Sequence, residues 1–282
     1  MSITAVAILE NPRAGKGRSA AVATWLHNEL EKRQIPSTIY KDEWPVELAG
    51  FSDAWLIGGD GTINYFINRY PDCDKALALF KSGTGNDFAW KLYGNKTNAE
   101  QLEQVLQATP RCIDAGRFND HLFINCLGLG FDGEIVRSMG SIRMLGGKLG
   151  YLLAVVTKIF RFREKRFTIQ AGTEKWQGPY LLVMVVNSSR AGGGFFVAPE
   201  ASVEDGSLDM VLCDPLTLFK RLRYLPVIQK GKHLHLPFVT HRQGYEFRIS
   251  CYEAVDIQAD GDLYRAKDLT IEVLPGKFRF RY

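Results

Sequence analysis

No stretch of this 282-residue sequence approaches the roughly 20 consecutive apolar residues that a membrane-spanning helix needs, so any contact with a membrane is expected to be peripheral. Cysteine is sparse. Cys73, Cys112, Cys126, Cys213 and Cys251 are scattered and form no CxxC pair. That spacing argues against a zinc ribbon or a disulfide framework and points to reduced thiols in a cytoplasmic protein. The opening MSITAVAILENP has no basic leader and reads as a first strand rather than a signal peptide. A large excess of either charge is also missing: 35 Lys and Arg against 31 Asp and Glu leave +4, which suits an anionic ligand but gives no broad basic face for nucleic acid. There is no internal repeat, no GxxxxGK[ST] phosphate loop, and no GxGxxG in a Rossmann position.

What the sequence does contain is a globular composition, 46% hydrophobic and 23% charged, in a chain long enough for two domains. Apolar, β-prone runs at 3–9, 36–40, 54–57 and 76–80 alternate with helical spacing at 18–33, 62–69, 86–92 and 99–108. Strand–helix alternation predicts a parallel sheet in an α/β domain over 1–115. From about residue 111 strands dominate, at 122–127, 167–171, 181–187, 208–213, 245–250, 254–258, 268–274 and 277–282. Helical stretches interrupt them near 147–162 and 217–230. The expectation is a β-rich sandwich domain over 116–282, whose last strands could return to the first domain.

Two glycine-rich turns carry the chemistry. Gly58-Gly59-Asp60-Gly61-Thr62-Ile63-Asn64 follows one apolar strand, and Ser82-Gly83-Thr84-Gly85-Asn86-Asp87 follows another. Glycine lets a backbone approach a phosphate, and a helix N-terminus favours an anion. Either turn alone reads equally as a tight connection with Asp60 or Thr62 as helix cap. Together, after parallel strands, they lie at the same carboxyl edge, where such sheets bind ligands. The polar turn Asn11-Pro12-Arg13-Ala14-Gly15-Lys16-Gly17 leaves the first strand at that edge too. Near the end, Asp260-Gly261-Asp262 sets two carboxylates that could aim at one point.

In order, NPRAGKG, GGDGTIN, SGTGNDFA, INCLGLGFDGEIV, GGGFFVAPEASVEDGSLDMVL and QADGDLY resemble the diacylglycerol kinase catalytic family, including its soluble bacterial lipid kinases. The resemblance spans nearly the whole chain. GGDGT alone is shared with NAD kinases, whereas GTGNDFA and the DGxLD stretch are particular to lipid kinases. The resemblance implies an NAD-kinase/diacylglycerol-kinase-like fold and an enzyme that moves a phosphoryl group from ATP to a lipid hydroxyl. Asn11, Lys16, Gly58, Gly59, Asp60, Gly61, Thr62, Ile63, Asn64, Thr84, Asn86 and Asp87 would bind ATP, with Asp60 and Asp87 organising Mg²⁺ and phosphate and Asp114 a further acid of that network. A structural Mg²⁺ would be held by the Asp205 carboxylate and the carbonyls of Ser202 and Ser207. Without the resemblance, Glu204-Asp205-Gly206 reads as a hairpin turn. Asp262 would be the general base, assisted by Asp60, although the family has Glu there. Tyr65 also departs from the family's Glu after GGDGTxN.

The stretch 158–167 clusters basic residues among aromatics. It could rest on anionic head groups or be a solvated helix end. His233 and His235 read as polar loop residues. The expected partners are a lipid at a membrane surface and, as an open alternative, a second copy in a homodimer. Two other functions remain open: an NAD-kinase-like enzyme, and a nucleotide- or lipid-binding regulator with little catalysis.

Overall fold

The computed structural model describes residues 2–12, 14–83, 85–142 and 159–282. Its contacts divide into two compact units, 1–113 with 276–282, and 114–275.

In the first unit, strands β1 (Val6–Glu10), β2 (Ser37–Tyr40), β3 (Asp53–Gly58) and β4 (Ala76–Lys81) lie in the order β4-β3-β1-β2, all parallel. Helices α1 (Arg18–Lys32), α2 (Asp60–Arg69), α3 (Asp87–Tyr93) and α4 (Asn98–Gln107) follow the predicted spacing closely. β1 and β3 are neighbours, so the strand order reverses between them and their carboxyl ends are adjacent. The core is continuous, with Trp55, Phe66, Phe80, Phe88 and Phe280 fully buried. Each such side chain contributes about 1.5–3 kcal/mol by leaving water. Arg279 and Phe280 add a further parallel partner to β4. Beside them Arg281, itself buried, donates from Nε to the buried Asp53 carboxylate at 2.5 Å and from Nη1 to the Ala108 carbonyl at 2.7 Å.

The second unit is antiparallel. Its strands include β5 (Arg111–Phe118, mostly here), β6 (His121–Phe123), β7 (Cys126–Gly130), β8 (Lys165–Ala171), β9 (Glu174–Tyr180), β10 (Leu182–Val186), β11 (Leu208–Cys213), β12 (Val239–Gly244), β13 (Glu246–Ala259) and most of β14 (Asp262–Phe280). One path runs β12-β11-β10-β7-β13-β14. β13 shifts register between Ser250 and Val255. Its first half pairs with the β8–β9 hairpin and its second half with β7, so one strand serves both layers of the sandwich. Among the described residues its helices are α5 (Phe131–Ile142) and α6 (Leu218–Gln229).

Several boundaries differ from the sequence reading. The single strand expected over 122–127 is two, β6 and β7. The break falls at Ile124 and Asn125 because their N–H groups turn to a carboxylate, that of Asp260. The separate strands expected at 245–250 and 254–258 are one long strand with a bulge, and those at 268–274 and 277–282 are likewise one. α5 was not anticipated. It makes Gly128-Leu129-Gly130-Phe131-Asp132-Gly133 a strand-to-helix turn with GxGxxG spacing, just past the strand expected over 122–127. It is still not a dinucleotide turn, since β7 pairs antiparallel on both sides. Packing explains its glycines: a Cβ on Gly128 would lie 2.2 Å from the Asp132 carboxylate, and one on Gly133 2.3 Å from the Asp256 carbonyl. Most of the helix expected at 147–162 lies outside the described residues. Among those described, no helix is long and apolar enough to cross a membrane.

Candidate active site

The three turns at the carboxyl edge of the first unit meet through their backbones. The Asn11 N–H donates to the Ile57 carbonyl at 3.2 Å, and the Ser82 N–H to the Gly58 carbonyl at 3.0 Å. Asn11 Nδ2 donates to Thr62 Oγ1 at 2.9 Å. The glycines make this approach possible. A Cβ on Gly58 would sit 2.0 Å from Thr62 Oγ1, one on Gly83 2.9 Å from the Gly59 Cα, and one on Gly85 2.9 Å from Asp60 Oδ2. Gly61 is different. It is exposed in the first turn of α2, and a Cβ there would meet nothing within 4 Å. The fold does not require its bareness, whereas an anion approaching the helix N-terminus would.

Asp60 joins the two glycine turns. Its carboxylate accepts the N–H of Asp87 at 3.1 Å and of Phe88 at 3.0 Å, capping α3 from another loop. Asn86 precedes that helix with φ +53° and donates from Nδ2 to the Gly83 carbonyl at 2.8 Å. Thr62, Ile63, Asn64 and Asp87 have buried side chains, so what Ile63 can offer a nucleotide is backbone alone. Tyr65 is exposed and packs edge-on against Trp44, with ring centroids 5.3 Å apart. Thr84, Arg13 and the Lys16 side chain lie outside the described residues.

The second unit separates the two acids of the Asp-Gly-Asp turn. One is buried and the other exposed. Asp260 is buried at φ +49°, and its carboxylate accepts the N–H groups of Ile124, Asn125 and Cys126 at 2.8, 2.9 and 2.9 Å. Asp262, two residues on, is exposed at the start of β14. Burial, and then the charges of Asp262 and Asp260, raise the pKa of the Tyr264 phenol. Beside this clasp the buried Asn187 donates from Nδ2 to the carbonyls of Asp114 and Ile124, both at 2.8 Å. Among the described residues, Asn125 Oδ1, Asn187 Oδ1 and Ser188 Oγ are buried acceptors with no protein partner. Sequence reasoning missed Asn125, Asn187 and Ser188. The available signal was polar residues directly flanking the apolar runs of β7 and β10.

Asp114 Oδ2 accepts the Gly206 N–H at 2.7 Å, which ties Asp114 to the turn at 202–207. In that turn Asp205 is exposed, and its Oδ1 accepts from Ser207 N at 3.0 Å and Ser207 Oγ at 2.9 Å, while Ser202 Oγ accepts from Glu204 N at 3.3 Å. The donor set there is oxygen only, with one exposed carboxylate, which fits Mg²⁺. Among the described residues no three His, Cys, Asp or Glu side chains cluster as a metal site. His233 proves buried rather than a surface loop residue, with Nε2 donating to the Val197 carbonyl at 3.0 Å.

A pocket partly open to solvent lies in the second unit. Its wall is apolar, with Phe131, Ile135, Leu182, Met184, Phe195 and Leu225 among its residues, and Asp132 is its acid. Burial raises the Asp132 carboxyl to a pKa of about 6, opposed by a hydrogen bond from Gln258. Gln258 Oε1 in turn accepts the Gly261 N–H at 3.0 Å. The cavity's acid is thus linked through one side chain to the turn that carries Asp262.

Residues 5–118 match the model of the diacylglycerol kinase catalytic domain, and residues 125–281 that of the YegS C-terminal NAD kinase beta sandwich-like domain. A diacylglycerol kinase of Mycobacterium tuberculosis H37Rv is 27% identical over 96% of this chain and 92% of its own length. A relative from Pseudomonas putida named as a YegS-like lipid kinase is 30% identical, over 80% of this chain and 76% of its own. Among solved structures, a diacylglycerol kinase from Bacillus anthracis superposes with a TM-score of 0.76 at 20% identity, covering 100% of this chain and 98% of the other. An NAD kinase from Archaeoglobus fulgidus in complex with ATP shares the fold at a TM-score of 0.59 and 12% identity, covering 99% and 94%.

Proposed function

The chain belongs to the diacylglycerol kinase family of lipid kinases, with a YegS-type C-terminal domain, and we propose that it transfers the terminal phosphoryl group of ATP to the hydroxyl of a lipid alcohol such as diacylglycerol. The observation that carries the lipid acceptor is the apolar cavity of the second unit, linked from Asp132 through Gln258 to the turn of Asp262. A cavity of this lining suits an acyl chain, with few polar groups to fix its orientation.

In this reading the turns at Asn11, Gly58–Asn64 and Ser82–Asp87 receive the phosphates. The backbone around Gly61 and the N-terminal end of α2 stabilise their charge. Asp60 positions both glycine turns by holding the start of α3. Asp262 accepts the proton of the lipid hydroxyl as it attacks, and Asp260 fixes the turn on which Asp262 sits. Asp205, with the carbonyls of Ser202 and Ser207, would hold a structural Mg²⁺. When bound with ATP, Mg²⁺ supplies charge neutralisation on the phosphates, and the protein's own part is mainly positioning. The lipid would be met at a membrane surface.

The test is ADP release from ATP over a panel of diacylglycerol, phosphatidylglycerol, a sphingoid base and NAD⁺, with wild type and Asp262→Asn side by side. Release with a lipid alcohol is expected, and Asp262→Asn should lower kcat by about 10²–10⁴-fold, the usual range for a general base. Release with NAD⁺ alone, or nucleotide binding with no turnover on any lipid, would overturn this function.

A further inference from the structure

Helix α6 has no buried residue, although most of its side chains are apolar or aromatic. One face is accounted for: Arg221, Tyr224, Leu225 and Ile228 fall on one side at helical spacing and line the apolar cavity. A different face carries Leu218, Phe219 and Leu222, which are 41%, 74% and 39% exposed. Pro226 is exposed in the same stripe. Lys220, Arg223 and Lys230 are exposed beside that stripe, and α6 itself contains no acid.

Arg221 ties the helix to the segment at 159–164. Its guanidinium donates to the carbonyls of Ile159 at 2.9 Å and Phe162 at 3.1 Å, and pairs with Glu164 at 2.5 Å. That segment adds Phe160, 57% exposed, and the exposed Arg161 and Arg163. Its acid, Glu164, is committed to Arg221. The other nearby acid in sequence is the exposed Asp214, ahead of the helix. Among the described residues of α6 and its sequence neighbours, cations therefore outnumber acids beside an exposed apolar stripe.

We propose that α6, with the adjoining segment 160–163, is the surface by which the protein docks on an anionic lipid bilayer. Leu218, Phe219 and Leu222 enter the boundary between head groups and acyl chains, and Lys220, Arg223 and Lys230 rest on anionic head groups. A helix with a strongly basic flank and Phe and Leu on its outer face is the pattern of an interfacial helix, and the charge complementarity selects an anionic surface. The same helix forms cavity wall on its other face, so docking brings the cavity wall to the bilayer from which an acyl chain would come. That direction of entry rests on the lipid-kinase reading; the docking itself does not.

The test is co-sedimentation of the full chain with phosphatidylcholine vesicles, with and without one third phosphatidylglycerol. Wild type should bind the anionic vesicles more tightly and lose that preference in high salt. Lys220→Glu with Arg223→Glu should weaken anionic-vesicle binding by about tenfold or more, since each cation near the surface is worth roughly fivefold. Phe219→Ser with Leu222→Ser should weaken binding to both vesicle types. Both variants should keep wild-type turnover of a short-chain diacylglycerol dispersed without vesicles. Equal binding of both variants and wild type would overturn the proposal. So would vesicle binding that persists while Phe219→Ser with Leu222→Ser turns a dimer into a monomer, which would assign the stripe to a second copy. Binding that follows the prediction in a protein releasing no ADP with any lipid would support the docking surface and refute the kinase reading.

Discussion

Replacing Asp260 isolates the worth of one buried carboxylate. Both of its oxygens are used, Oδ1 by the N–H groups of Asn125 and Cys126 and Oδ2 by that of Ile124. Hydrogen bonds to a charged group contribute about 1.5–3 kcal/mol each, so three of them amount to roughly 5 kcal/mol even at the low end. Whole domains are stable by only about 5–15 kcal/mol, and Asp260→Ala should therefore leave the second unit barely folded. Asp260→Asn is the measurable variant. Its remaining oxygen can serve Asn125 and Cys126, but its NH₂ then faces the Ile124 N–H, donor against donor. The expected loss is about 2.5–6 kcal/mol, one charged bond plus an unsatisfied buried group. Urea unfolding followed by circular dichroism reads it, with Asp262→Asn as the control. Asp262 is exposed, so its substitution should stay within about 0.5 kcal/mol of wild type. Equal stabilities for Asp260→Asn and Asp262→Asn would refute the assignment of a buried clasp to one acid and an exposed position to the other.

Gly61→Ala should fold at least as well as wild type, gaining up to about 1 kcal/mol from a stiffer unfolded chain, yet bind ATP more weakly by calorimetry. Unchanged affinity would remove Gly61 from the phosphate site. For Asp132, burial raises the folded pKa to about 6 from the ordinary carboxyl value of 3.8, so the fold favours the protonated acid. That contribution is present below about pH 4 and is lost as pH rises through 6. Asp132→Asn should therefore stabilise the protein at pH 8 by up to about 3 kcal/mol and flatten the change between pH 4 and 6, read as thermal unfolding across that range. A variant less stable than wild type at pH 8 would contradict it.

The first unit was legible because its signals are local. β1, β3 and β4 are short apolar runs closed by glycine or asparagine turns, and each helix follows at the expected spacing, so α1 to α4 lie within two residues of the sequence reading. The convergence of the turns at Asn11, Gly58 and Ser82 followed from parallel strands alone. In the second unit the deciding partners are far apart in sequence. Nothing near Ile124 announces that its N–H is taken by a residue 136 positions later, which is why one strand was expected where two exist. The two acids around Gly261 look equivalent in the sequence. Burial separates them, and burial there depends on β7 and β13 lying side by side. α5 was hidden because its glycines at 133 and 140 weaken helix propensity, while packing against β13 supplies what propensity does not.

The return of 276–282 to the first unit has a consequence for biosynthesis. A ribosome delivers residues 1–113 long before it delivers Arg281, and until then Asp53 is a carboxylate destined for burial without its guanidinium. An unpaired charge at such a place costs about 3–5 kcal/mol. The edge of β4 that takes Arg279 and Phe280 is also open in the nascent chain. The α/β unit therefore cannot be completed in the order in which it is translated. It must wait, partly formed, while the intervening 162 residues of the other unit emerge, and this interval is when a chaperone or protease would find that strand edge unpaired.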